Sequence, residues 1–426
     1  PKTLCTIEGY AQWMEGLEKG PIPMAPYKIL SYDIESQPHV YEDGREPGFP
    51  EPEVDPILCI GVCVFDMVHP KQIQKIAFMW EPDGSVPSCT SFPALTSEQQ
   101  TDEYTSEDID VRSFRSEYAM LEAFSDFIQK ECDPDMITGY NVLNFDNVYY
   151  MNRCKALWPL DDSGGPAACI GRIKNIPSKL KKKYKFSNQF GGSETWECSM
   201  EGREFVDMFK IFKTDHKCRS YKLDNIAYEF LGTKKIHIRY EDIPEMQKTL
   251  KGRIELSVYC VKDAWLPCIL ATKMCKILNA ILMSQVTSVS LNSILNRGQQ
   301  IRTLALMLKK AMEREAKGHV RWYLPDEDDP PATGSFEGAV VITPIPGYYR
   351  EVVATLDFAS LYPSIMQAYN MCFSTIINNP KQARKRGYKW SENDPSPTFR
   401  PVRTFDYPEG GAFKYVEKPT DVCFIT

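Results

Sequence analysis

The chain has 426 residues, 43% hydrophobic and 25% charged, with a formal net charge of −7. That length predicts two or three domains with a sizeable core. No apolar run approaches the ~20 residues needed to span a bilayer, and the acidic balance excludes a uniformly basic nucleic-acid coat protein. Any polyanion would need a local basic groove or a bound metal. The 14 Cys contain no C-x-x-C pair and the 5 His no close pair. This argues against a zinc module or a disulfide framework and predicts reduced, structural thiols in an intracellular compartment.

Residues 1–26 read as a connector ending in Pro21, Pro23 and Pro26. Lys28 to Glu35 follows as a strand, in which Asp33 and Glu35 share one face and Ile34 lies opposite. On an exposed edge both acids would simply be solvated; on a half-buried strand they repel each other unless a cation neutralises them. Ile57 to Phe65 and Gln72 to Trp80 are the next strands, forming a meander with the first, and Glu81 to Asp110 is an acid-rich surface insertion. Met120, Leu121, Phe124, Phe127 and Ile128 recur at helical spacing and place a core helix over Ser116–Lys130. Met136 to Asn141 is a short strand and turn. Phe145-Asp146 then opens a helix toward Trp158, where an acid alone would only complement the helix dipole.

Lys179 to Lys185 is the strongest basic cluster, read as a solvated hairpin face ahead of a phosphate contact or a nuclear address. Arg203 to Phe212 is a strand, and Leu223 to Leu231 a helix stopped by Gly232. Arg253 to Val289 is one long helix bent at Pro267, with Tyr259 and Asp263 on a common face. A helical segment from Asn292 to Lys317 carries Arg297-Gly298-Gln299-Gln300, and Pro325 to Gly334 is a linker. Beyond it Ala339 to Ile345 and Val352 to Leu356 are strands, the second delivering Asp357 to a turn that runs Phe358-Ala359-Ser360-Leu361-Tyr362-Pro363-Ser364. A carboxylate there can hold a divalent cation, and the free N–H groups of Ser360 and Leu361 suit a nucleoside triphosphate, although in isolation Asp357 would simply end a strand and Ser360 cap the next helix.

Asp33 and Glu35 on one strand, Asp146 at a helix start and Asp263 on a late helix come from three separate elements, and Tyr259 accompanies Asp263. Acids converging on one cleft are what two closely spaced Mg²⁺ ions require, because Mg²⁺ prefers oxygen ligands and substrate phosphates. One ion would generate hydroxide and the other stabilise a departing 3′ oxygen, with Tyr259 orienting the attacking water.

Asp33-Ile34-Glu35, then Gly139-Tyr140-Asn141 with Phe145-Asp146, then Tyr259-x-x-x-Asp263 resemble the three exonuclease motifs of family B DNA polymerases. Leu356 to Ser364 resembles the first polymerase motif of that family. Tyr221-Lys222-Leu223 and Arg297-Gly298-Gln299-Gln300 are similar to its eukaryotic delta and herpesvirus-like branch. The resemblance covers nearly everything from Lys28 to Ile377.

That resemblance implies a mixed α/β architecture: an RNase H-like 3′–5′ exonuclease domain over 28–290, preceded by the end of an N-terminal domain at 1–27. A helical connector and linker at 291–334 and the beginning of a polymerase palm at 335–426 would follow. Asp33, Glu35, Asp146 and Asp263 would be metal ligands, Tyr259 would position water, and Asn141 and Phe145 would line the frayed single-stranded end, Phe145 by packing on a base. Asp357 would be one of two palm carboxylates and metal ligands, with the Phe358 carbonyl as a further ligand. The Ser360 and Leu361 amides would cradle the triphosphate, and Tyr362 would exclude a 2′-hydroxyl. The implied cofactor is Mg²⁺, with Mn²⁺ as a substitute; the implied partners are primer-template DNA, dNTPs and a processivity factor, and the implied location is the nucleus.

Phe336-Glu337-Gly338-Ala339 departs from the family's Tyr before a Gly pair, and the later Lys-x-x-x-Asn-Ser-x-Tyr-Gly and Tyr-Gly-Asp-Thr-Asp motifs do not occur in these residues. The expectation is therefore a piece of a longer replicative polymerase, unable to synthesise DNA alone. The acid-rich Glu98–Asp110 stretch and the herpesvirus-like motifs incline the source toward a large DNA virus. The competing readings are a stand-alone exonuclease and an inactive DNA-binding scaffold. The palm-like motif argues against the first and the intact acids against the second.

Overall fold

The computed structural model describes residues 25–41, 48–81, 109–160, 163–187, 191–316, 342–369, 376–377, 402–406 and 412–416. Most of the expected connector at 1–26, most of the insertion at 81–110, the linker at 325–334 and the Phe336–Ala339 segment lie outside them. The chain divides into two compact units, Pro1–Gly298 and Gln299–Thr426.

The first unit is built on β1 (Lys28–Ser36), β2 (Ile57–Asp66), β3 (Gln74–Trp80) and β4 (Ile109–Phe114). There follow α1 (Glu117–Asp126), β5 (Met136–Gly139), α2 (Asp146–Leu157), a hairpin of β6 (Lys179–Ser187) and β7 (Gly191–Ser199), and β8 (Glu204–Asp207). The remaining elements are helical: α3 (Met208–Asp215), α4 (Leu223–Leu231), α5 (Ile243–Gln247), α6 (Leu250–Lys273), α7 (Lys276–Thr287) and α8 (Leu291–Asn296).

Six strands form one mixed sheet in the order β4-β3-β2-β1-β5-β8. β1–β2 and β2–β3 pair antiparallel, whereas β3–β4, β1–β5 and β5–β8 pair parallel. This is the mixed α/β, RNase H-like arrangement expected. β2 reads as an almost unbroken apolar run because both of its faces are covered. On one face α6 packs against β1 and β2, with Ile29, Cys59, Cys63, Cys260, Val261 and Ala264 in that core. On the other, Leu30, Tyr32 and Ile34 meet Phe124, Phe127 and Tyr150. The alternation of β1 thus sends its even-numbered side chains to the α1–α2 side and Ile29 and Asp33 to the α6 side.

α1 begins where predicted, with the Ser116 hydroxyl accepting the Ala119 N–H at 3.2 Å. It widens into a π-helical turn over Phe127–Cys132 and stops at Asp133 in the left-handed region. Three expected boundaries move. The strand expected over Arg203–Phe212 ends at Asp207, because the Asp207 carboxylate caps α3 by accepting the Phe209 N–H at 2.9 Å, and Met208, Ile211 and Phe212 follow at helical spacing. The long helix does not break at Pro267, which α6 absorbs at the loss of one backbone hydrogen bond. It breaks by 47° at Met274–Cys275, where Cys275 has φ +50°. The segment expected as one helix from Asn292 is interrupted by extended Arg297.

The second unit holds α9 (Gln299–Ala316), α10 (Leu361–Tyr369), β9 (Ile376–Ile377), β10 (Val402–Asp406) and β11 (Ala412–Val416). The three strands form an antiparallel sheet in the order β10-β11-β9. Residues 342–346 and 352–358 are not strands. β-Branched composition becomes sheet only against a neighbour, and among the described residues none pairs with Val352–Leu356, which stands exposed.

Candidate metal centre

β1 and α6 bring the first acids together. Asp33 sits opposite Gly61 in the β1–β2 register, and α6 crosses so close above Gly61 that a Cβ there would stand 2.5 Å from the Cys260 carbonyl carbon. Only glycine fits. The Gly61 N–H donates to Cys260 Sγ at 3.1 Å, and that thiol donates to the Asp33 carbonyl at 3.3 Å. The helix is thereby fixed in register with the strand, one residue after Tyr259 and three before Asp263. Ligand atoms of Asp33, Glu35 and Cys260 all lie within 4.8 Å of one another.

The β5–α2 turn contributes the next acid. β1 and β5 pair only as far as Ser31 and Thr138, which leaves the Ile34 N–H without a strand partner. Asp146 replaces that partner, its Oδ1 accepting the Ile34 N–H at 3.1 Å. The turn between is tight. A Cβ on Gly139 would lie 2.8 Å from the Tyr32 carbonyl oxygen, and Asn141 takes φ +62°, a region that Asn tolerates better than most residues. This gives Gly139-Tyr140-Asn141 a conformational reason. Phe145 stands half-buried at the end of the turn, its ring edge-to-face with that of exposed Phe49 at 5.4 Å.

Two residues that sequence reasoning missed complete the site. Asp207 accepts the N–H groups of Asn141 at 2.9 Å and Leu143 at 3.2 Å while it caps α3. Lys235 forms an ion pair with Asp263 Oδ2 and places its ammonium 4.6 Å from the centre of the Tyr259 ring. Its own backbone N–H is held by Asp224 Oδ1 at 3.0 Å. An Asp before a helical apolar pattern was a readable signal for the cap. A pair of lysines in a loop gave no sign of what Lys235 meets.

Electrostatically the site is starved of positive charge. Burial pushes the Glu35 carboxyl up to about 8 and that of Asp146 to about 7. Asp33 is held well above the usual carboxylate range by burial, then by the charges of Asp146, Asp263 and Glu35. Asp263 reaches about 6, burial outweighing the Lys235 ammonium. Burial opposes the charge on Lys235 itself, but Asp263, Tyr259 and Asp33 more than reverse that and raise its pKa. Asp263 Oδ1 is buried with no hydrogen-bond partner. An orphaned carboxylate oxygen amid mutually repelling acids fits a divalent cation, which would satisfy the oxygen and remove the repulsion.

The structure therefore brings together Asp33, Glu35, Asp146, Tyr259 and Asp263, with Asn141 and Phe145 on the adjoining turn. The remaining predicted site residues belong to the second unit. Asp357 and Phe358 are exposed on the extended segment, Ser360 has φ +51°, and Leu361 and Tyr362 open α10. The Ser360 carbonyl accepts the Ser364 N–H at 2.9 Å in the first turn.

Comparison with known proteins identifies the relationship. Residues 2–226 match the model "DNA polymerase family B, exonuclease domain", and residues 289–406 match "DNA polymerase family B". The DNA polymerase delta catalytic subunit of Schizosaccharomyces pombe is 33% identical over 384 residues, 89% of this chain and 31% of that protein. The Bos taurus subunit is 34% identical over 401 residues, covering 93% and 33%, and the Drosophila melanogaster subunit 36% over 355 residues, covering 83% and 29%. These relatives are cellular eukaryotic proteins, not viral ones, and the chain spans about a third of their length. Among solved structures, the family B DNA polymerase from Pyrobaculum calidifontis aligns with a TM-score of 0.49 at 24% identity, covering 96% of this chain and 41% of that one. Through its two family matches, which together take in most of its length, the chain belongs to the family B DNA polymerases.

Proposed function

We propose that this chain is the 3′–5′ exonuclease and first palm segment of a replicative DNA-directed DNA polymerase, acting in the nucleus on primer-template DNA and dNTPs with a processivity factor. The observation that carries the proofreading half is the mutual repulsion of Asp33, Glu35, Asp146 and Asp263 in one buried cluster, with Asp263 Oδ1 left without a hydrogen-bond partner. Water adds to the terminal phosphorus of a single-stranded 3′ end, the bond to the preceding 3′ oxygen breaks, and a 5′-mononucleotide leaves. Asp33, Glu35, Asp146 and Asp263 would hold Mg²⁺, or Mn²⁺ in its place, which when bound would supply Lewis acidity toward water and the departing oxygen.

The chain's own groups do the rest. Tyr259 orients the attacking water, Lys235 offsets part of the negative charge at Asp263, and Asn141 and Phe145 hold the frayed terminal nucleotides. In the second unit, Asp357 and the Phe358 carbonyl serve as palm ligands, the Ser360 and Leu361 amides receive the triphosphate, and Tyr362 packs on the deoxyribose. A stand-alone exonuclease is disfavoured by the polymerase-family match over residues 289–406.

The test is release of the 3′-terminal mononucleotide from labelled single-stranded DNA in Mg²⁺ or Mn²⁺. The chain is expected to shorten the strand, and the double substitution Asp33→Ala, Glu35→Ala to abolish this. Equal degradation by the double variant would sink the assignment.

A further inference from the structure

The protein is acidic, and many of its surface lysines are neutralised. On the β6–β7 hairpin, the most basic stretch of sequence, Lys182 pairs with Glu194 at 2.6 Å and Lys183 with Glu197 at 2.5 Å. Lys130, Lys248 and Lys310 each find an acid within one helical turn. Exposed lysines without an acid occur elsewhere among the described residues, Lys181 among them, but the run from Lys213 to Arg219 groups three such cations within seven residues. Lys213, Lys217 and Arg219 are exposed, and among the described residues none of them has a carboxylate partner. The acid that interrupts the run, Asp215, is drawn away to Lys276 at 3.0 Å. An uncompensated cationic strip on an acidic protein is the feature that needs a partner.

The same strip is joined to the exonuclease turn. α3, which starts the run, is capped by the Asp207 carboxylate that also holds the Asn141 N–H. Its first turn carries Phe209, whose half-buried ring lies edge-to-face with Tyr140 at 5.8 Å and beneath the Lys213 ammonium at 5.7 Å. The Tyr140 hydroxyl donates to the Tyr221 carbonyl at 2.5 Å, tying the far end of the run to the same turn. Exposed cations interleaved with aromatic faces are the chemistry that takes a single nucleic-acid strand, phosphates on the cations and bases on the rings.

We propose that Lys213, Lys217 and Arg219 form a phosphate track that guides single-stranded DNA to the turn at Asn141. It rests on the exonuclease reading for its destination, although the binding itself does not require cleavage. These side chains touch no reacting atom, so they act on capture of the strand and leave the bond-breaking step to the acids.

The experiment compares the 426-residue chain with K213A/K217A/R219A on a single-stranded oligonucleotide and on the p-nitrophenyl ester of thymidine 5′-monophosphate, which has no further phosphates to track. The ratio of kcat/KM for oligonucleotide over ester is expected to fall about tenfold near 0.1 M salt. The slope of log kcat/KM against log salt should flatten by about 2, roughly 0.7 per lost phosphate contact. An unchanged ratio with an unchanged salt slope overturns the track, as does an equal loss on both substrates. Fluorescence anisotropy of the labelled oligonucleotide in Ca²⁺ separates the two levels of the reading. If the wild type cleaves neither substrate, weaker and less salt-sensitive binding by the triple variant still supports the track, and identical binding curves overturn it.

Discussion

The Asp207 carboxylate, at the end of β8, accepts the backbone N–H of Asn141 at 2.9 Å across 66 residues of sequence. One acid therefore fixes both the start of α3 and the turn from which Asp146 reaches the acid cluster. Asp207→Ala should remove a helix cap and two turn contacts together, costing about 3 kcal/mol of stability. Exonuclease activity should fall tenfold or more, since Asn141 and Asp146 lose their position. Asp207→Asn keeps one accepting oxygen and should retain more of both. Thermal unfolding and single-strand degradation measured on the same preparations decide this; an alanine variant as active as the wild type would refute the positioning role.

Lys235 is the cation that pairs directly with the acid cluster, through Asp263, while Lys262 adds a further favourable charge at Asp263. The Lys235 charge lowers the carboxyl pKa of Asp33, Glu35 and Asp263. Lys235→Ala should therefore move the acidic limb of the exonuclease pH–rate profile to higher pH and reduce the plateau about tenfold. A profile that falls in height without moving along the pH axis would show that Lys235 acts sterically and not through charge.

Stability without metal should fall as pH rises. Glu35, Asp146 and Asp263 are raised from ordinary carboxylate values to about 8, 7 and 6, so between about pH 4.5 and 8 the native state holds protons that the unfolded chain has released. Their favourable contribution is complete below the unfolded pKa and is lost as pH passes the folded values. In chelator, the melting temperature should drop by on the order of 5 °C from pH 5 to pH 8. Mg²⁺ or Mn²⁺ should restore more of it at pH 8 than at pH 5. A metal-free melting temperature that stays level or climbs over that range would contradict the electrostatic account of the site.

How much of this was legible in the sequence depends on the range of the interaction. Period-two alternation put Asp33 and Glu35 on one face, and the i, i+4 relation put Tyr259 and Asp263 together, because both are local geometry. The α6–α7 break was missed because the apolar pattern continues through Cys275, while Pro267, the obvious breaker, is held in the helix by packing on all sides. Val352–Leu356 has strand composition without a described partner, and composition alone does not make a ladder. Lys235 and Asp207 were invisible as site residues because each acts across a fold that brings distant segments into contact.

Gly61 gives the most direct test of that long-range fit. A methyl group there would meet the Cys260 carbonyl carbon at 2.5 Å and the Cys260 oxygen and Val261 nitrogen at 2.6 Å. All three are backbone atoms that no rotamer change can move, so Gly61→Ala must push α6 off β2. The cost should be about 2–3 kcal/mol, and Tyr259 and Asp263 would move with the helix away from Asp33. Exonuclease activity should drop by an order of magnitude or more. Gly232→Ala is the control. Nothing lies within 4 Å of its added methyl and only its φ of +71° is offended, so it should cost about 1 kcal/mol and leave cleavage intact. Equal effects of the two substitutions on activity would mean that the α6–β2 spacing does not set the geometry of the metal centre.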